Sequence, residues 1–286
     1  MENTQCLNCG HSFTGKFCPN CGQRASTQRF TFKRIFSAEF LSDTFNLNQG
    51  LLLTLRDLAW RPGYLIRDYL GGKRKRYFNF IALLLILLAV EALLWAYAQN
   101  SVADVLKDRL TEQLNAQNPE MAALLGQEDI ERALSNQKII FILTVPLTAC
   151  FTWLILKRVG YNFAEHCVVI VFLLAMNTFL GISIGVLGLL PISYETFTVI
   201  YGPASFIIIG FDLLLFWQLS QAAEYSTFGR IWRVVLAWFV AITVIGLTIQ
   251  LSIGIFSGMR KSTTERLSPT EIPQYDSLEV TIDTLE

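Results

Sequence analysis

Charged residues are scarce in this sequence, and their scarcity limits the class of protein it can encode. Only 16% of the 286 residues are charged, whereas 52% are hydrophobic and the mean hydropathy is +0.42. Soluble domains have about 25% charged residues. The apolar residues are concentrated between two polar ends, 1–76 and 257–286. This distribution is typical of a membrane protein and argues against an ordinary soluble domain.

Signatures of common catalytic sites are missing as well. The chain has no HExxH, GxSxG or GxxxxGK[ST] motif, and its two histidines, His11 and His166, are far apart. We therefore expect no enzymatic activity. The first residues also lack the apolar run of a cleavable signal peptide, so the first hydrophobic helix is expected to direct membrane insertion.

Long apolar runs are present instead, and they predict an all-α polytopic membrane protein. A spanning helix needs about 20 apolar residues to cross a hydrocarbon core of about 30 Å. The bundle is expected over 77–256, with about five transmembrane helices. The five stretches that approach or exceed this length are 79–98, 138–156, 166–190, 198–219 and 233–256.

The distribution of charge predicts which ends of these helices face the cytoplasm. Residues 29–76 carry ten Lys and Arg against four Asp and Glu, whereas 99–137 carry three against seven. Because positively charged loops stay in the cytoplasm, the N-terminus is predicted inside and the helical loop 99–137 outside. Five spans then place the C-terminus outside. The polar tail, 257–286, is predicted to be disordered.

Two CxxC pairs near the N-terminus predict a small zinc ribbon over residues 1–24. Four thiolates at this spacing can hold a tetrahedral Zn²⁺, and the glycine after each pair suits a left-handed turn. A pair of disulfides is the alternative, which a reducing cytosol disfavours. All four ligand positions are filled by protein, so the site is expected to be structural and not catalytic. The ligands are Cys6, Cys9, Cys18 and Cys21.

Two roles remain open for the ribbon. It can fold the N-terminal tail, since so short a segment cannot build a core without a metal, or it can hold a cytoplasmic protein partner. A nucleic-acid partner is unlikely because Lys16 and Arg24 are its only basic residues.

The segment 25–76 is predicted to form basic, amphipathic helices at the membrane surface. One short helix is expected over 51–60, and a second from Pro62 to Gly71. The aromatic and basic side chains suit a topology anchor, or alternatively a site for membrane lipids with anionic head groups. The candidate lipid and interface residues are Arg61, Lys73, Arg74, Lys75, Arg76 and Tyr77.

Several of these residues also carry a family resemblance. Arg61-Pro62-Gly63, followed by Gly72-Lys73-Arg74 and Tyr77 before an apolar run, lies behind a CxxC…CxxC ribbon. This order resembles the bacterial membrane family catalogued as domain of unknown function 3667. Members often have a proline shortly after the tyrosine, where this chain has Asn79-Phe80. The resemblance implies a bacterial inner (cytoplasmic) membrane protein and supplies no activity.

Two carboxylates, Glu91 and Asp212, lie within predicted spans. A charge at mid-bilayer costs at least about 2.5 kcal/mol, so such residues are candidates for function. If the helices adjoin, Asn177 and Gln250 could complete one polar path with them. The alternative is a protonated carboxyl that hydrogen-bonds across helices and only stabilises the bundle.

Two functions remain from these observations. The first is a membrane-embedded binding or scaffold protein that uses the ribbon on the cytoplasmic face. The alternative is a transporter or lipid-handling protein that uses Glu91 and Asp212.

Overall fold

The computed structural model describes residues 4–27, 29–35, 50–98, 137–186 and 194–267. Strands β1 (Thr4–Gln5) and β2 (Ser12–Phe13) pair antiparallel. Within the described ranges the chain is otherwise mostly helical. The helices are α1 (Phe32–Ile35), α2 (Leu51–Trp60), α3 (Pro62–Leu70), α4 (Phe80–Ala98), α5 (Gln137–Ile155), α6 (Phe163–Gly185), α7 (Tyr194–Ser220) and α8 (Thr227–Leu267).

Each of the five long apolar stretches forms a helix, which confirms the mostly helical prediction. Helix α6 begins at Phe163, earlier than expected, because Asn162 caps it. The Glu165 N–H donates to Asn162 Oδ1 at 2.9 Å, and the Asn162 N–H donates to Glu165 Oε2 at 3.0 Å. This reciprocal capping box satisfies two backbone donors that the start of a helix leaves unpaired.

Helix α6 occupies the centre of the bundle. It packs against α4, α5 and α7, and α8 packs against α5 and α7. Phe172, Leu173 and Met176 of α6 are almost completely buried. The rings of Tyr69 in α3 and Phe80 in α4 lie 5.3 Å and 6.1 Å from the Phe172 ring. Helix α3 is thereby built into the end of the bundle and does not lie apart on a surface.

The described turns between the long helices lie at the end of the bundle where α3 packs. A 3-10 turn, Lys157–Val159, joins α5 to α6, and Gly160 follows it with φ +83°. Residues 221–226 join α7 to α8. We call residues 50–79, which comprise α2, α3 and the loop before α4, the collar. In that loop Asn79 Oδ1 accepts the Ile81 N–H at 2.9 Å, so an asparagine caps the start of α4.

The outer faces of α4 to α8 carry many exposed large apolar side chains. Examples from the five helices are Leu93, Leu154, Val186 just after α6, Phe206 and Phe239. Helix α6 and the part of α8 from Thr227 to Thr248 are long and apolar enough to cross a membrane. The shorter apolar segments are Phe80–Leu94, Thr144–Ile155 and Phe206–Ser220.

Two predicted regions fall wholly or partly outside the described residues. The extracytoplasmic helical loop, 99–137, is described only at Gln137, where α5 begins. Helix α8 continues through 257–267, a stretch that composition assigned to a disordered tail. Lys, Arg and Glu in this stretch are good helix formers, and extending a helix requires no new nucleation. The rest of the tail lies outside the described ranges.

Candidate metal centre

The four N-terminal cysteines converge on one point. Their sulfur atoms all lie within 4.8 Å of one another, with Cys6 Sγ 3.5 Å from Cys21 Sγ and Cys9 Sγ 3.6 Å from Cys18 Sγ. Four sulfurs bound tetrahedrally at the Zn–S distance would lie about 3.8 Å apart. The cysteines are free thiols and not disulfides. The cluster can therefore hold a metal ion, and its donor set suits zinc.

Both CxxC pairs use the same turn to aim their sulfurs. The Gly10 N–H donates to the Cys6 carbonyl at 2.9 Å, and the Gly22 N–H donates to the Cys18 carbonyl at 2.8 Å. Gly10 and Gly22 have φ values of +76° and +72°, the left-handed conformation that the sequence predicted. Phe13 packs in the small core beside the cysteines.

The protein environment shifts the pKa values of two of the four thiols in opposite directions. A hydrogen bond from the backbone of His11 lowers the pKa of Cys9 to about 6, whereas burial raises the pKa of Cys21 to about 11. A bound divalent cation removes this difference, because ligating thiols are deprotonated. The site would therefore release protons on taking up a metal.

The ribbon (residues 4–24) is docked on the collar through both of its CxxC turns. Leu7, inside the first pair, sits on Gly72, where an added Cβ would lie 2.7 Å from Leu7 Cδ1. Gln23, just after the second pair, is buried. Its Nε2 donates to the Gly72 carbonyl at 2.8 Å, and its Oε1 accepts the Lys75 N–H at 3.3 Å. The metal centre and the docking contact are thus formed by the same two turns.

The linker that follows the ribbon (residues 25–31) is fixed to the bundle. Phe30 is fully buried, and its ring stacks on Tyr69 with centroids 5.8 Å apart. Arg29 Nε donates to Glu165 Oε1 at 2.9 Å, and Arg29 Nη2 bonds Glu165 Oε2 and the Gly160 carbonyl. Asn162 Nδ2 donates to the Phe30 carbonyl at 3.0 Å. The cap of α6 therefore also holds the linker.

A hydrogen-bonded network holds the collar together. Arg61 Nη2 donates to Asp57 Oδ2 at 2.7 Å, and Lys73 Nζ donates to Asp68 Oδ1 at 2.8 Å. The buried Tyr77 hydroxyl lies 3.1 Å from Asp57 and 3.2 Å from Asp68. Burial tends to raise the pKa of Asp57, but the hydrogen bonds from Arg61 and Arg56 outweigh it and hold the pKa below its usual range.

The Arg61-Pro62-Gly63 motif fits the collar against α7. Pro62 occupies the first turn of α3, where a missing N–H is harmless. The Gly63 N–H donates to Gln218 Oε1 of α7 at 3.0 Å. A Cβ on Gly63 would lie 2.5 Å from Gln218 Cβ and 2.6 Å from the Leu215 carbonyl oxygen. Only glycine permits this close approach of the two helices.

Four of the six candidate interface residues make contacts within the protein. Arg61, Lys73 and Tyr77 belong to the collar network, and the Arg74 guanidinium lies 3.7 Å from the centroid of the Phe30 ring. Burial lowers the pKa of Arg74 to about 10. Lys75 and Arg76 are exposed. A lipid-binding role for the set stays a prediction, and the two exposed cations are its best candidates.

The polar candidates of the bundle interior are only partly brought together. Asp212 of α7 is 4% exposed and lies close to Asn177 of α6 and Trp238 of α8. Asp212 Oδ1, Asn177 Oδ1 and Trp238 Nε1 have no hydrogen-bond partner among the described residues. Glu91 lies on α4, half-buried, with no ion pair to a described residue. The side chain of Gln250 lies outside the described residues.

Sequence reasoning missed three residues that assemble this end of the molecule. They are Gln23, which docks the ribbon, Glu165, which pairs with Arg29, and Gln218, which accepts the first amides of α3. The Asn162-x2-Glu165 spacing could have indicated the capping box. Gln23 and Gln218 carry no local signal.

Comparisons with known proteins agree with the motif-based resemblance. No curated protein and no solved structure matches the chain. A family model does match one segment of the chain. This segment comprises the collar and the first half of α4, and it includes the Arg61-Pro62-Gly63 motif and Gly72-Lys73-Arg74. Over residues 48–90 the chain matches the family described as protein of unknown function (DUF3667), which confirms the resemblance for this segment.

Proposed function

We propose that this protein is an integral membrane protein that holds a zinc ribbon at a fixed position on the cytoplasmic face, as a binding or scaffold platform. The observation that carries the proposal is the docking of both CxxC turns on the collar, through Leu7 on Gly72 and through Gln23. A tethered ribbon would sample many orientations, whereas this one has a single orientation on the bundle. Fixing the orientation lowers the entropy lost when a partner binds.

The outward faces of α4 to α8 support membrane insertion through five spans. Their exposed apolar side chains would face lipid in a bilayer and water otherwise. Exposing apolar surface to water has the higher free energy. Helices α4 and α5 have 19 residues each. At 1.5 Å per residue they reach about 28 Å, close to the hydrocarbon thickness of about 30 Å.

The cations at the collar end support a cytoplasmic location for the ribbon. Lys157 and Arg158 follow α5, Arg230 and Arg233 begin α8, and Lys75 and Arg76 precede α4. Loops rich in lysine and arginine remain in the cytoplasm. We propose the inner membrane of a bacterium on the family resemblance, with the C-terminus on the opposite side.

An exposed aromatic residue of the ribbon is available to a protein partner. Phe17 is 54% exposed, and the Arg24 guanidinium lies 5.5 Å from its ring centroid. Aromatic residues, including phenylalanine, and arginine are enriched in protein–protein interfaces. The closed four-cysteine site keeps the zinc structural.

A photo-crosslinking amino acid at position 17 tests this proposal in living cells. A protein adduct is expected there and not at position 158, an exposed cation on the α5–α6 turn. The adduct should vanish in Cys18→Ser, which cannot form the four-thiolate site. If position 17 gives no adduct, or gives one that persists in Cys18→Ser, the scaffold proposal is wrong.

A second candidate function, ion or proton transfer, is supported by Asp212. Its carboxyl shares a buried position with Asn177 and Trp238, where three polar atoms have no hydrogen bond to a described residue. Buried polar groups without partners often mark sites that exchange a proton or ligand. Proton uptake by reconstituted vesicles, compared between wild type, Asp212→Asn and Glu91→Gln, tests it. Loss of uptake in Asp212→Asn with the position-17 adduct retained favours transfer over scaffolding.

A further inference from the structure

A cleft of about 740 Å³ opens where ribbon, linker, collar and bundle meet. It is separate from the cysteine cluster and from Asp212. Such a volume is within the range of about 300–1,000 Å³ typical of small-molecule sites. Its lining residues are Leu7, Thr27, Arg29, Thr31, Arg67, Leu70, Gly71, Gly72, Gly160, Tyr161 and Glu165.

The cleft carries one uncompensated positive charge. Glu165 is 1% exposed, and its two oxygens bond to Arg29 and to the Asn162 N–H, so it neutralises Arg29. Arg67 has no ion pair with any described residue, and its guanidinium lies 5.5 Å from the centroid of the Tyr64 ring. Among the charged lining residues, Arg67 alone therefore has its charge available for a ligand.

A neutral donor lies beside this free cation. Tyr161 lines the cleft together with Arg67, Arg29 and Glu165. Burial raises the pKa of Tyr161, which keeps its hydroxyl protonated and able to donate. Thr31 is exposed, lines the same cleft and offers a second hydroxyl.

One lining glycine, Gly160, leaves room close to the backbone beside Tyr161. No atom lies within 4 Å of a Cβ built on Gly160. Leu7 and Leu70 provide apolar surface at one side. A cleft with a free guanidinium, neutral hydroxyls and an apolar edge suits an anion attached to a less polar body.

We propose that this cleft binds a phosphate-bearing anion, with Arg67 as its charge partner and with Tyr161 and Thr31 as hydroxyl donors. Arginine is suited to this role because its planar fork can bond two phosphate oxygens at once. The phosphate can come from a lipid head group or from a soluble phosphate ester. The lipid source rests on the proposed location at the membrane surface, where basic pockets between helices bind anionic head groups.

Two probes distinguish these sources on the full-length protein. The first is native mass spectrometry of protein released from nanodiscs of phosphatidylglycerol or phosphatidylcholine. The second is a calorimetric titration with glycerol 3-phosphate. Wild type is compared with Arg67→Gln and with Lys157→Gln, which removes an exposed cation on the same end but outside the cleft.

Retention of phosphatidylglycerol by wild type and by Lys157→Gln, with at least a tenfold loss in Arg67→Gln, supports a lipid head group. Binding of glycerol 3-phosphate that is lost only in Arg67→Gln supports a soluble ester. Arg67→Lys, which keeps the charge but not the fork, should retain part of the affinity and controls for misfolding. The proposal is overturned if neither probe binds wild type, or if Lys157→Gln loses as much affinity as Arg67→Gln.

Discussion

The buried polar groups at the collar end of the molecule and those in the bundle interior differ in how completely they are paired. At the collar end Asp57, Asp68 and Glu165 each pair with a lysine or arginine. In the bundle interior, Asp212 has no ion pair and its Oδ1 has no hydrogen bond within the part of the chain that the structure describes. Unpartnered buried polar atoms destabilise a fold unless something else offsets them.

This difference distinguishes the polar groups that stabilise the fold from the polar groups that are candidates for function. The charged pairs at the collar end stabilise the fold, either within the collar or between the linker and α6. The exceptions are cations that remain available, namely Arg67 in the cleft and the exposed Lys75 and Arg76. Substitutions should therefore be costly at the collar and nearly neutral at Asp212, and the following predictions test that contrast.

Loss of the metal site should have the largest effect. Cys18→Ser, or chelation of the wild-type protein, is expected to unfold the ribbon completely, because structural zinc contributes about 10–16 kcal/mol in small metal-dependent domains. Hydrogen exchange should show lost protection at Gln23 and at the Lys75 amide, which the ribbon holds. Metal analysis should give one zinc per chain in wild type and none in the variant.

Cys150→Ser serves as the matched control, since Cys150 lies on α5 outside the cluster. It should retain the metal and the protection of Lys75. Full protection of the ribbon after chelation would show that the collar contact alone folds it, contrary to this prediction.

Gly63→Ala should have the next largest effect. The new Cβ would lie 2.6 Å from the Leu215 carbonyl oxygen and 2.8 Å from the Leu219 nitrogen, both backbone atoms of α7. Helices α3 and α7 must separate, at a cost of about 1–3 kcal/mol. The midpoint of thermal unfolding in detergent measures this loss of stability. Gly210→Ala, on the same α7 but facing open space, should leave the midpoint unchanged; equal shifts would contradict the proposed helix contact.

Gln23→Ala tests docking without touching the metal ligands. The change leaves the Gly72 carbonyl and the Lys75 N–H without their partner, and loss of the buried hydrogen bond to the Gly72 carbonyl costs about 1–3 kcal/mol. Hydrogen exchange at Lys75 should accelerate while zinc content stays at one per chain. Gln5→Ala removes an exposed hydrogen bond to Gly10 and should leave Lys75 protected. Simultaneous loss of zinc in Gln23→Ala would mean that docking and metal binding cannot be separated.

The sequence predicted local features of this region well. Helices α2 and α3 begin and end where Pro62 and Gly71 indicated, and the glycines after each CxxC pair have the expected backbone conformation. These features depend on neighbouring residues, whose spacing is visible in one sequence. The Asp57–Arg61 pair, four residues apart, was within reach of the same reasoning.

Contacts across long stretches of chain could not be predicted in this way. Gln23 and Gly72 are 49 residues apart, and Gly63 and Gln218 are 155 apart. No periodicity connects such positions, because the fold alone brings them together. The side chains of Lys73 and Arg74 contact Asp68 and the Phe30 ring, and these contacts are likewise set by tertiary packing that the basic run at 73–76 does not reveal.

Asp57→Asn should destabilise the collar in a pH-dependent way. The folded-state pKa of Asp57 lies below its unfolded value of about 3.9, so its contribution is fully present above that value. The contribution is lost as pH falls through the folded-state pKa. The difference in unfolding midpoint between wild type and variant should be constant from about pH 7 to pH 5 and shrink below about pH 4. A difference that persists unchanged at pH 3 would show that the Asp57 charge is not its source.

Asp212→Asn should have the smallest effect, and it is the sharpest test of the contrast between the two regions. No ion pair with a described residue is lost, and asparagine has nearly the same shape as aspartate. Its new NH₂ group can donate to Asn177 Oδ1, which lacks a partner. The unfolding midpoint in detergent should therefore stay the same or rise slightly, whereas Asp57→Asn lowers it at neutral pH. If Asp212→Asn destabilises the protein as much as Asp57→Asn, the interior carboxyl is a structural group like those of the collar. The case for transfer through the bundle would then lose its main support.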